Sequence, residues 1–131
     1  MTLQISPILA AFMALLGAVL TIRVIMSRVK LDITAGDGGN AVMRQAIRAH
    51  GNFAEQVPLA LILFALAEMN GAPRMALYGL AGLLVIGRLA SAMGLSGSTG
   101  ISTGRQAGAG MTIIYMVGTA LLIGYTVYIK P

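Results

Sequence analysis

The chain has no cysteine and no tryptophan, one histidine and four acidic residues among 131. Without cysteine there is no disulfide framework, no protein thiol nucleophile and no thiolate metal site. One histidine, His50, is too few for the ligand sets that zinc takes, so no metal site is expected. The acids Asp32, Asp37, Glu55 and Glu68 are scattered along the chain. Paired carboxylates of the glycosidase kind are therefore not expected, nor is a Ser-His-Asp triad. Aromatic residues are 5%, so the stacking platforms of a nucleic-acid surface are missing. Charge is scarce as well, at 10% of residues, against about 25% in soluble domains.

What is present is apolar. Hydrophobic residues make up 57% and the mean hydropathy is +0.86. A single all-α integral membrane domain over 1–131 follows. The net charge is +5, but the basic residues flank apolar stretches and form no run. They read as topology-setting charge, and no nucleic-acid partner is expected.

The pattern predicts four transmembrane helices, at about 6–30, 40–69, 73–94 and 106–129. Ser6-Pro7 suits the start of helix 1, with Ser as N-cap and Pro at the first helical position. Arg23, Arg28 and Lys30 follow the apolar stretch, the reverse of a signal peptide, so helix 1 is expected to be retained as a span. Asp37-Gly38-Gly39-Asn40 is a turn cluster, and with no Gly-Lys-Ser/Thr after it no phosphate cradle is expected. Pro58 is expected to kink helix 2, and Asn70-Gly71-Ala72-Pro73 ends it in a tight turn. A Gly/Ser/Thr-rich stretch, Leu95 to Gly104, reads as a flexible connection to helix 4. Gly104, Gly108 and Gly110 suit close helix packing there. Loop 1 is flanked by Arg23, Arg28, Lys30, Arg44 and Arg48, and loop 3 ends at Arg105 with Arg88 close by. The positive-inside rule places them in the cytoplasm and both termini outside.

The densest polar run is Arg44 to Pro58. At about 100° per residue, Arg44, Arg48, Asn52 and Glu55 fall within roughly an 80° arc of one helix face. Topology brings Arg88 and Arg105 to the same end. Arg88, at membrane depth, should face the bundle interior with Glu55 as its acidic partner. Excess arginine beside one carboxylate and two amides suits a small, multiply anionic ligand that carries an ammonium. The arginines would take its carboxylates and Glu55 its amine, while a spare arginine would favour a thiolate. Equally, Glu55, Arg48 and Arg88 read as charges that neutralise one another to hold the bundle. The residues alone leave both readings open.

Arg48-Ala49-His50-Gly51-Asn52-Phe53-Ala54-Glu55-Gln56-Val57-Pro58 resembles the R-A-x-x-N-x-x-E-x-x-P signature of the MAPEG superfamily, the membrane-associated proteins in eicosanoid and glutathione metabolism. Gly87-Arg88-Leu89 and Gly104-Arg105-Gln106-Ala107-Gly108 match later landmarks of that family. Gly36 to Asn40 and Glu68 to Ala72 look most like its small bacterial inner-membrane branch. The resemblance implies a homotrimer of four-helix bundles with glutathione as co-substrate, held between adjacent protomers near the cytoplasmic end. Carried over, Arg28, Arg48, His50, Asn52, Glu55, Gln56 and Arg88 would bind glutathione. Arg105 would stabilise its thiolate, and Ser91 would donate a weak hydrogen bond to sulfur. Ser91 and Leu95 stand where many members carry His or Tyr, and Gln56 stands where some have Tyr.

The expected function is a glutathione-dependent transferase or peroxidase of the inner membrane, acting on hydrophobic electrophiles that arrive from the lipid. The alternative is a non-catalytic member that binds lipid or an anionic metabolite in the same cleft. A small efflux transporter fits less well, because helix 1 lacks the carboxylate that such a carrier needs within its first span.

Overall fold

A computed structural model describes residues 3–94 and 103–128, with side chains at 3–93 and 106–128. The described residues form four helices: α1 (Ser6–Leu31), α2 (Ala41–Met69), α3 (Arg74–Gly94) and α4 (Thr103–Tyr128). All four are long and apolar enough to cross a membrane. α4 begins three residues before the expected Gln106. The Gly/Ser/Thr-rich connection at 95–102 lies outside the described residues.

The helices pack as two hairpins, α1 against α2 and α3 against α4, joined mainly through α2. The common core runs through Leu9, Met13, Phe64, Leu77, Leu84 and Tyr115. Ile8, Phe12, Leu15, Val19 and Ile22 form an apolar stripe on the outside of α1. Such a surface suits hydrocarbon and not water.

Helix ends carry the clearest local logic. Asn40 caps α2, its Oδ1 accepting from the amides of Val42 (2.9 Å) and Met43 (3.2 Å). α2 ends in a Schellman turn: Gly71, at φ +74°, donates to the Glu68 carbonyl, and Ala72 donates to that of Ala67. Glycine takes this left-handed position without a Cβ penalty. α2 continues unbroken across Pro58. Beyond it, the Tyr115 hydroxyl donates to the Ala60 carbonyl at 2.8 Å and ties α4 to α2.

The start of α1 differs from expectation. Ser6 is the first helical residue, and Ile5 is the N-cap with no capping side chain. The cap comes instead from Glu68, 62 residues away. Its carboxylate accepts from the amides of Gln4, Ile5 and Ser6, each at 2.8 Å, and from the Ser6 hydroxyl. Two carboxylate oxygens reach three orphan amides where a hydroxyl serves one, and the negative charge favours the positive end of the helix.

α3 and α4 come into close contact at Gly108. A Cβ there would lie 2.6 Å from the Gly87 carbonyl oxygen and 2.8 Å from the Ser91 amide nitrogen. Close approach thus follows the expected glycine pattern at Gly108. Gly110 has open space around it, and the surroundings of Gly104 lie outside the described residues.

Candidate functional site

The polar arc of α2 turns away from the bundle. The buried positions Met43, Ala46, Ala49, Val57 and Ala60 lie on one side of the helix. Arg44, Arg48 and Glu55 are exposed on the other, and Asn52 sits half-buried between the two faces. Among the described residues neither the Arg48 nor the Glu55 side chain has a hydrogen bond or ion pair. α2 has 29 residues, about 43 Å at ~1.5 Å per residue, against about 30 Å of hydrocarbon. Glu55 lies about 20 Å from the Glu68 end by the same rise, within the apolar layer. A carboxylate exposed to hydrocarbon is costly there.

Arg88 faces the interior, as its depth requires, and is 3% exposed. Its partner is not Glu55. Nη2 donates to Thr112 Oγ1 at 2.6 Å, and makes longer contacts with Ser91 Oγ (3.4 Å) and the Gly108 carbonyl (3.5 Å). The rotation of α3 aims the guanidinium at α4, while the rotation of α2 aims Glu55 outward. Arg88 Nε has no partner among the described residues.

Ser91 is 8% exposed, beside Arg88. Together with Asn52 these two form the polar wall of a small pocket between α2 and α3, of about 10 Å³, closed by Leu20, Ala49 and Phe53. That is room for about one water molecule. Asn52 thus belongs both to the outward polar face and to the inner pocket.

His50 lies elsewhere. It lines a largely apolar groove of about 360 Å³ between α1 and α2, with Gly17, Thr21, Phe53 and Pro58 among its walls. The Phe53 ring packs against Gly17, where a Cβ would come within 2.9 Å of it.

A sequence model of the MAPEG family matches residues 6–127. The chain belongs to the MAPEG family. The inner membrane protein YecN of Escherichia coli (strain K12) is 35% identical over 86 residues, 66% of this chain and 66% of the relative. The protein of the same name in Escherichia coli O6:H1 (strain CFT073) matches to the same extent. This alignment spans slightly less than two thirds of the relatives. No solved structure matches. An inner-membrane relative and four spanning helices support a multi-pass inner-membrane protein.

Within one protomer of this MAPEG chain, the candidate site residues fall into separate groups. Arg48 and Glu55 are on the outward face, while Asn52, Arg88 and Ser91 share the inner pocket. His50 faces the α1–α2 groove. Gln56 is half-buried, and its Oε1 has no partner among the described residues. Arg28 folds over loop 1, donating to the carbonyls of Ile33 (3.4 Å) and Gly36 (3.2 Å). The Arg105 side chain and Leu95 lie outside the described residues.

Loop 1 is further fixed by an ion pair, Arg44 Nε to Asp37 Oδ2 at 2.6 Å. The Arg44 hydrogen bond, with a second from the Gly39 amide, holds the Asp37 carboxyl below its ordinary range. At the opposite end, a recess of about 330 Å³ is lined by Gln4, Glu68 and Arg74. Arg74 donates to Gln4 Oε1 at 3.1 Å, and Glu68 is occupied by the α1 cap.

Two features escaped the sequence reading. The first is the Glu68 cap, for which a lone glutamate at a helix end is a weak signal. The second is the hydroxyl stripe of α4, in which Thr112, Tyr115, Thr119 and Thr126 are all buried. Their 3-4-7 spacing is the signal that was available.

Proposed function

We propose that the protein is a membrane-embedded glutathione-dependent transferase or peroxidase for hydrophobic electrophiles, working as a homotrimer. The observation that carries this reading is the outward pair Arg48 and Glu55, without side-chain partners among the described residues, with Glu55 within the apolar layer and Arg48 near its edge. A neighbouring copy with a ligand between the two would cover these charges, and one copy does not.

In this reading the Arg48 guanidinium takes a glutathione carboxylate, and Glu55 takes the γ-glutamyl ammonium. Asn52 hydrogen-bonds the peptide, with Arg28, His50, Gln56 and Arg88 completing the site from one protomer or its neighbour. Arg105 favours the thiolate by its charge. A direct bond from Ser91 to sulfur requires the thiol to enter the inner pocket. The groove beside His50 offers an apolar approach for the acceptor from the bilayer. In this reading the basic residues that flank loops 1 and 3 face the cytoplasm, and both termini lie outside.

One observation favours the alternative, a non-catalytic member holding lipid or an anionic metabolite. Ser91 is turned inward onto Arg88 and is not presented at the protomer surface. Purified protein titrated with glutathione separates the two, with thiolate absorbance and turnover of a chlorinated aromatic acceptor followed together. The enzyme reading predicts both signals. Binding with neither signal leaves the non-catalytic reading.

A further inference from the structure

We propose that the groove between α1 and α3 binds an anionic phospholipid from the leaflet that faces loop 1, with its phosphate on Arg23 and one acyl chain laid along the groove. This site is separate from the polar face of α2 and does not rest on the function proposed above.

Helical spacing builds the groove. Leu16, Val19, Leu20 and Arg23 recur at intervals of three and four and so share one face of α1. Leu89, Ala92 and Met93 do the same on α3. The two faces line a groove of about 440 Å³. Leu20 and Ala92 form its floor, packed with Ala49 and Phe53 of α2. Val19, Leu89 and Met93 are exposed along its rim. α1 and α3 barely touch, so the groove stays open to the bilayer.

Depth places a headgroup at one end of it. Among the described residues that line the groove, Arg23 is the only charged one. It lies about 26 Å along α1 from Ser6, at ~1.5 Å per residue. Gln4, Glu68 and Arg74 gather at the Ser6 end and mark one edge of the apolar layer. Arg23 therefore stands near the other edge of ~30 Å of hydrocarbon. From there the α1 wall runs inward to Leu16 as ~10 Å of apolar surface. A cation at headgroup level above an apolar slot matches a phosphate with an acyl chain beneath it.

Charge decides which lipid. Arg23, Arg28, Lys30, Arg44 and Arg48 stand at this end, against Asp32 and Asp37. Asp37 is already paired with Arg44. The surplus attracts a headgroup of net negative charge, by about fivefold in affinity per basic residue, and disfavours the ammonium of a zwitterionic one. Arginine suits phosphate because its planar fork donates two hydrogen bonds at once. Its five donors let it hold a phosphate beside the interaction that Arg23 already makes within the chain.

The test is native mass spectrometry of the full-length protein in detergent, with phosphatidylglycerol or phosphatidylcholine of identical acyl chains added. Wild type is expected to retain one phosphatidylglycerol per chain and to hold phosphatidylcholine about fivefold more weakly or worse. Arg23→Gln should bring the two lipids to equal retention. Val19→Trp, at an exposed position on the rim, should fill the groove and release both. Lys30→Gln, which removes an exposed cation outside the groove, should change neither. If Arg23→Gln fails to fold, the comparison of Val19→Trp with Lys30→Gln decides. Equal retention of the two lipids by wild type would overturn the proposal. An equal loss of preference in Lys30→Gln and Arg23→Gln would overturn it too, by assigning the preference to general surface charge. Unchanged retention in Val19→Trp would place the lipid elsewhere, with the same consequence. No lipid on wild type, together with subunit dissociation in Val19→Trp, would assign the groove to a second copy of the chain and overturn the proposal as well.

Discussion

Two residues show how the same chemical type takes different roles with its surroundings. Gly108 and Gly110 sit two residues apart in α4, and the sequence treats them alike. A Cβ at Gly108 would press on backbone atoms of Gly87 and Ser91, which have no free rotamer to yield, whereas Gly110 has open space. Gly108→Ala is therefore expected to destabilise the fold by about 1–3 kcal/mol. Gly110→Ala should be neutral or stabilising by up to about 1 kcal/mol, since it removes backbone freedom from the unfolded chain. Thermal unfolding in detergent checks both. Glu68 offers a second contrast, because its carboxylate satisfies three amides and a hydroxyl at the start of α1. Glu68→Ala should cost about 2 kcal/mol or more, through amides left without partners. Faster amide exchange confined to the first turn of α1 would mark that mechanism.

At the scale of elements, the helices were legible and their mutual rotation was not. Long apolar runs, Asn40 as a cap and the Asn70-Gly71 turn are local features, and local physics places the ends of α2 within a residue. Periodicity also showed that Arg44, Arg48, Asn52 and Glu55 share a face. It says nothing of what that face meets. Arg88 was expected to pair with Glu55 because they are opposite charges at one depth. The pairing fails because α3 packs its arginine toward Thr112 on α4. Spacing along one helix cannot report the rotation of another. Loop 1 is the element whose charge balance carries a pH dependence. Asp37 is held below its ordinary carboxyl range by Arg44 and the Gly39 amide. A depressed carboxyl contributes fully above its unfolded value, and the contribution is lost as pH falls through the lower folded value. Protection of loop 1 from proteolysis should therefore decline only on the acid side of that range. Asp37→Asn should abolish the decline.

At the scale of the molecule, the outward charges of α2 and the apolar stripe of α1 both point to surroundings beyond one bundle. The stripe suits lipid. In the proposed function a second copy and a ligand cover the charges. A C-terminal reporter that is active only outside the cytoplasm is expected to be active, and one that is active only inside should be silent; the opposite pattern would invert the proposed orientation. The central claim is that Arg48 and Glu55 form part of a glutathione site, and calorimetric titration of glutathione into the purified protein tests it most directly. Wild type is expected to bind, and Arg48→Ala, on an exposed position that the fold does not need, to bind about tenfold more weakly or worse. An absence of binding by wild type, or equal affinity in the two proteins, would contradict the account.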